Sequence, residues 1–171
     1  MSRAAPSLVL LMLSVVGCGL NPEVNGVWRT EDGEVVSWAE LEFEGRVELV
    51  LGQYGDAVAG ALRLFEKDQD FKEPFIFPDC PCLFLERASF DDGVLVFDLD
   101  LTRCGGDVGE WSGRFEWSEN DGGVEILTGA LEPKDPEGTG ASTQTFVLRY
   151  SGGNKKIKED ELNQECLGPL R

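Results

Sequence analysis

Along most of the chain, apolar and polar residues alternate with a period of two, and Gly, Asp and Asn gather between the alternating runs. That period sends successive side chains to opposite faces of a strand, so each run reads as a β-strand with one buried face. The series opens at 26–30 with Trp28. Leu41 and Phe43 alternate with Glu40, Glu42 and Glu44, and Val47, Leu49 and Leu51 alternate with Arg46 and Glu48. A turn over 52–56 leads into a returning run over 57–65. Leu95, Phe97, Leu99 and Leu101 face one way, and Asp98, Asp100 and Thr102 the other. Trp111, Phe115 and Trp117 share a face opposite Glu110, Ser112, Arg114 and Glu116. Asp91-Asp92-Gly93 and Asn120-Asp121-Gly122-Gly123 are hairpin turns. Runs over 124–131 and 144–150 bring the total to about eight strands.

Two longer loops interrupt the series, one over 66–78 and a Pro/Gly-rich one over 132–143. A short helix is predicted only over 154–165. Asn154 can cap it, and Lys155/Glu159 and Lys156/Asp160 are i,i+4 pairs in the weaker orientation. Gly45-Arg46-Val47-Glu48 leads through a turn to Gly60-Ala61-Leu62, and Gly113-Arg114-Phe115-Glu116 leads through one to Gly129-Ala130-Leu131. This recurrence reads as a shared hairpin idiom in which glycine permits strand coiling. Short strands at this turn spacing predict an all-β antiparallel barrel or, alternatively, a β-sandwich. Gly26-Val27-Trp28 and Trp111-Ser112-Gly113 loosely resemble strands of the small up-and-down barrels of the lipocalin and avidin kind. The resemblance implies a closed barrel with a cavity open at one end, and carries over no ligand residues.

The amino terminus follows a different pattern. Arg3 precedes an apolar stretch over 4–16. About 13 apolar residues fall short of the roughly 20 needed to cross a bilayer, so residues 1–17 read as a signal peptide rather than a permanent anchor. Leu13-Ser14-Val15-Val16-Gly17-Cys18 resembles a bacterial lipobox: an aliphatic residue three before the cut, a small one just before it, and cysteine just after. The resemblance implies cleavage before Cys18 and diacylglycerol on its thiol. Two or three acyl chains, at about 0.8 kcal/mol per buried CH₂, hold a protein firmly on a membrane. Residues 18–25 are then a lipidated tether and 26–171 one domain. Gly19 stands where an aspartate often signals inner-membrane retention, which favours the outer membrane or cell surface in a Gram-negative envelope.

Arg3 is the one charged side chain of residues 1–17; without it 14 basic side chains face 32 acidic ones, a formal charge of −18. Nucleic acid and anionic lipid surfaces need basic patches, so the charge argues against both. High charge also simply keeps a protein dispersed. Four cysteines follow Cys18: Cys80, Cys82, Cys104 and Cys166. An even count in an exported chain reads as two disulfides. A Cys80–Cys82 bond would close a very tight ring through Pro81, which leaves each of them tied to Cys104 or Cys166. A zinc site is disfavoured, because one cysteine pair has a single residue between and the other two lie far apart.

The chain has no histidine. That removes Ser-His-Asp and Cys-His catalysis and histidine-ligated metals. Phosphate-cradling and dinucleotide motifs are missing, and neither Asp68-x-Asp70 nor Asp98-x-Asp100 continues as a calcium loop. No catalytic residue, metal or cofactor is expected. The candidate contacts are aromatic. Trp111, Phe115 and Trp117 would pack a core or line a ligand cavity, while Phe71, Phe75 and Phe77, beside Cys80 and Cys82, would cover one barrel end or meet a partner. Three functions compete: an envelope-anchored module binding a small apolar molecule or an envelope protein; a structural or assembly lipoprotein with a filled core; and, least favoured, a hydrolase with two carboxylates. A cavity, a packed interior, and two close buried acids would respectively mark them.

Overall fold

The alternating runs form strands that turn most of their apolar positions to the inner side of a closed sheet. The structure is a computed structural model and describes residues 22–31, 33–67, 83–102 and 108–153. Strands β1 (Gly26–Arg29), β2 (Val36–Trp38), β3 (Phe43–Tyr54), β4 (Ala57–Glu66), β5 (Leu83–Phe84), β6 (Glu86–Asp91), β7 (Val94–Asp100), β8 (Glu110–Glu119), β9 (Glu125–Pro133) and β10 (Gln144–Gly152) pair antiparallel throughout. β3 pairs with both β1 and β4, and β10 returns to β1, so the sheet closes. Eight staves in chain order make an up-and-down barrel: β1, β3, β4, β6, β7, β8, β9 and β10. β2 continues the line of β1 along β3, and β5 continues that of β6 along β4. The barrel is therefore the observed fold, not the sandwich. A single helical turn, α1 (Pro136–Thr139), sits in the Pro/Gly-rich loop, capped by the Asp135 carboxylate accepting from Gly138 N–H at 2.9 Å.

The expected faces hold. Leu95, Phe97, Leu99 and Leu101 are buried, with Asp98 and Asp100 on the outer side. Glycine at two sites of the recurring idiom permits close approach: a Cβ at Gly113 would enter the Phe97 ring, and one at Gly129 would meet the Arg114 carbonyl and the Phe115 ring. Two details differ from the alternation. Leu41 belongs to a 3₁₀ turn (Ala39–Leu41), ended by Glu42 in the left-handed region at φ 49°, and does not extend the strand. β3 is one strand of 12 residues running through Gly45 up to Tyr54, so the turn expected over 52–56 shrinks to Gly55-Asp56.

The register divides the barrel into two ends. One carries the start of β1, the end of β10 and the short turns at 55–56, 92–93 and 120–124. The opposite end carries the 3₁₀ turn before β3, the ends of β4, β7 and β9, the starts of β8 and β10, and the longer β9–β10 connection with α1. The residues just before β1 pack on the barrel. Val24 is fully buried, its N–H donates to Gln53 Oε1 (3.0 Å), and Asn25 Oδ1 accepts from Gln53 N–H (2.6 Å).

Candidate functional site

The interior is filled by aromatic side chains. Trp28, Trp38, Trp111 and Phe115 have no measurable exposure. Trp38 meets Trp111 edge-on at 5.0 Å between ring centroids, Phe97 stacks on Phe115 at 5.8 Å, and Phe115 stacks on Phe146 at 6.2 Å. Such pairs each contribute about 0.5–1.5 kcal/mol beyond area burial. Trp111 donates its indole N–H to Val108 O (2.8 Å), and Trp28 donates to Val24 O (3.1 Å). Trp111 and Phe115 are thus brought together as core. Trp117 sits on the same inner face nearer the short-turn end, half-buried against that core. Trp38 Nε1 and Trp117 Nε1 are both shielded from solvent with no acceptor among the described residues.

Phe71, Phe75 and Phe77 lie outside the described residues. So do Cys18, the four cysteines expected to pair (Cys80, Cys82, Cys104, Cys166), and the helix expected over 154–165.

On the outer wall, β7 to β10 form a groove of about 610 Å³. Ser112, Thr128, Ala130 and Thr145 make its floor, and Arg87, Arg114, Glu116 and Glu132 its rim. Asp98 stands in it between two cations: Arg87 Nη2 lies 2.6 Å from Oδ2, and Lys134 Nζ 2.9 Å from Oδ1. Burial alone pushes the Asp98 carboxyl up. The hydrogen bond and charge of Lys134, with the charge and hydrogen bond of Arg87, outweigh it and hold the group below its ordinary value. A carboxylate held this way stays ionised, which is the reverse of what a general acid needs.

Among the described residues, the nearest approach to paired-carboxylate chemistry is at the short-turn end. Glu119 and Glu125 face each other across the β8–β9 hairpin. Burial, and then the Glu119 charge, raise the Glu125 carboxyl above its ordinary value. Glu119 itself is exposed, so the pair lacks a second desolvated acid. Glu23, Asp56, Asp91 and Asp92 line another hollow at this end. Among the described residues, no group of three ligating side chains converges in a way that could hold a metal ion.

Sequence reasoning missed three features. The Asp98 cluster joins residues far apart in the chain, and no local spacing signals it. The plug formed by Val24 had a weak signal, an apolar residue flanked by Glu23 and Asn25. The third is an ionic row on the outer wall. Glu48 is fully buried there between Arg29 (2.5 Å, Nε to Oε2) and Arg63 (2.7 Å, Nε to Oε1), its register partners on β1 and β4.

Fold and site together define an all-β, up-and-down barrel protein with a filled interior. The chain matches no family model, and neither a curated protein nor a solved structure matches it significantly.

Proposed function

We propose that this chain is a lipid-anchored, non-enzymatic module of the bacterial cell envelope that acts through its surface, by contacting an envelope protein, rather than by carrying a molecule inside the barrel. The observation that carries this reading is the filled interior: Trp28, Trp38, Trp111 and Phe115 occupy the space where a barrel-borne ligand would sit. The lipobox-like Leu13-Ser14-Val15-Val16-Gly17-Cys18 supplies the anchor. The described carboxylates support a non-catalytic role, since Asp98 is clamped ionised and Glu125 faces an exposed partner. Five residues separate Cys18 from the buried Val24, a reach of at most about 20 Å over six Cα steps. The barrel would stand on the membrane by its short-turn end and offer its longer loops to the partner.

One observation favours the alternative of a small guest: the buried Trp38 N–H lacks an acceptor among the described residues. Intact and native mass spectra of the protein taken from the membrane fraction decide between these. The expected result is a chain beginning at Cys18, carrying acyl groups, four hydrogens lighter than its reduced form, with no component lost on denaturation. A mass that leaves on denaturation would establish the carrier reading, and an unacylated chain would remove the anchor.

A further inference from the structure

Successive residues of a strand turn their N–H and C=O groups to opposite sides, so a ladder on one side fixes which groups face the other. Lys134 N–H donates to Glu110 O, and the unbroken β8–β9 register then turns Leu127, Gly129 and Leu131 toward β10. Their partners Gln144, Phe146 and Leu148 face β9, which leaves the backbone groups of Thr145 and Val147 facing the other way. β1 pairs with β10 only from Val27 to Arg29, against Gly152, Tyr150 and Arg149, and does not reach them. Beyond Arg29 the chain makes a detour. Thr30 N–H still donates to Val47 O on β3, a turn closed by Glu34 N–H on Glu31 O leads out and back, and β2 resumes with Val36 opposite Gly45. The same alternation turns Val36 and Trp38 to β3, so the backbone groups of Val35 and Ser37 face β10. Two rows of backbone groups thus look across one gap at the long-loop end of the barrel. No backbone hydrogen bond joins Val35, Ser37, Thr145 or Val147 across it or to another described residue. All four residues are exposed, and beneath them the rings of Trp38 and Phe146 lie 6.3 Å apart.

Resting on the surface-contact reading above, we propose that this gap is where the envelope partner docks, by adding an extended segment to β10 as a further strand, uncharged along its middle and basic at its ends. Three observations select that occupant. The first is hydrogen bonding. The N–H and C=O groups of Thr145 and Val147 are spaced for an antiparallel strand, and those of Val35 and Ser37 border the same gap. Only another extended backbone answers such a row. The second is the bareness of the edge. Natural sheets protect an open edge with charge, proline or a bulge. Gln144-Thr145-Phe146-Val147-Leu148 has no charge and no proline, and its register with β9 is unbroken. The third is charge. Glu31 and Glu34 stand in the turn at one end of the gap, and Glu40, which accepts from Ser142 N–H at 2.7 Å, at the other. Basic residues flanking the added strand meet these acids. A second copy of this chain would bring the same acids against them, on a molecule of net charge −17.

Amide hydrogen exchange of the full-length protein reads the edge directly. The probe is a capped peptide of alternating threonine and valine with lysine at both ends. In the free protein the Thr145 and Val147 amides should exchange fast, and the Phe146 amide, bonded to β9, slowly. Saturating peptide should slow Thr145 and Val147 at least about tenfold and leave Phe146 unchanged. Val147→Pro removes a donor that faces the gap and no bond to β9, so it should weaken peptide binding at least about tenfold. Glutamate in place of the peptide's lysines should weaken it about threefold or more. Should Val147→Pro lose the near-ultraviolet signal of the packed tryptophans, the wild-type exchange rates decide alone. Slow Thr145 and Val147 amides in the free protein would overturn the proposal, because the two lips would then be joined. Unchanged rates with peptide would also overturn it, as would a wild-type dimer that Val147→Pro dissociates. A photocrosslinking side chain placed at Val147 or at Glu137, in cells, separates this site from the reading it rests on. A partner captured from Glu137 alone overturns the edge and keeps the surface contact, and capture from neither position overturns both.

Discussion

Asp98 shows how a single residue acquires its state from strands that are distant in sequence. It lies on the outer face of β7, and its cations come from β6 and from the residue after β9. Its folded pKa is lowered from 3.8, so its contribution to stability is present above that value and is lost as the pH falls through the depressed one. Asp98→Asn should therefore cost about 1 kcal/mol at pH 7. The difference from wild type should close as the pH drops below 3.8; denaturant titrations of both proteins across that range measure it. Glu125 runs the opposite way. Its raised pKa means that the folded state favours the protonated acid, an advantage present below the ordinary value of 4.5 and lost as the pH rises through the raised one. At neutral pH the burial of the charged carboxylate and the facing Glu119 charge are both liabilities, so Glu125→Gln should stabilise the fold by about 0.5 kcal/mol. A melting temperature unchanged or lower at pH 7 would contradict this. The sequence marks Asp98 only as an outward acid beside Asp100, and Glu125 not at all, because what distinguishes them is a partner on another strand.

Among the elements, the strands that were legible are those with one wet face. In β7 and β8 the strict alternation of Leu, Phe and Trp with Asp, Ser, Arg and Glu marked both the strand and its orientation. β2, β5 and β6 escaped notice for physical reasons. β2 and β5 have three and two residues, too few to show a period, and β6 offers only Ala88 and Phe90 to the interior. They persist because neighbouring staves supply their hydrogen bonds. The alternations on either side of Gly45 belong to one strand, β3, in which Gly45 pairs with Glu66 inside a continuous ladder. The nearly unbroken apolar run of β4, from Ala57 to Phe65 with Arg63 as its one polar residue, was the available sign of burial on both faces. The coiling glycines were legible as a recurring idiom, and they carry their own prediction. Gly129→Ala must displace backbone of β8 and not merely a side chain, so it should cost about 2 kcal/mol or more. Urea denaturation of the variant tests this, and a loss below 0.5 kcal/mol would mean that the hairpin relaxes freely.

For the whole molecule, the closed barrel was legible because short strands with frequent turns have few other ways to bury one face. Its filled interior was not, since an aromatic stripe looks the same whether it packs against other rings or lines a cavity. What separates the two is the meeting of Trp38, Phe97 and Phe146 with Trp111 and Phe115 across the barrel, a matter of register between strands. The two barrel ends lead to a prediction that belongs to this scale. If Cys18 is lipidated, the short connection to Val24 fixes which end faces the bilayer. That end carries Glu23, Asp56, Asp91, Asp92, Glu119, Asp121 and Glu125, so an anionic headgroup layer would repel it while the acyl chains hold it close. The molecule should stand upright rather than lie on its wall. A strand of 12 residues tilted in a barrel rises roughly 30 Å, which separates the exposed Asp121 from the exposed Glu137 by a distance that energy transfer resolves. A donor dye placed at Asp121 of the acylated protein in vesicles should transfer strongly to headgroup-attached acceptors, and the same dye at Glu137 weakly. Adding salt should draw the acidic end closer by screening the repulsion, and so raise transfer from Asp121. Equal transfer from both positions would mean that the barrel lies flat, and stronger transfer from Glu137 would mean that the long-loop end meets the membrane and the short-turn end meets the partner.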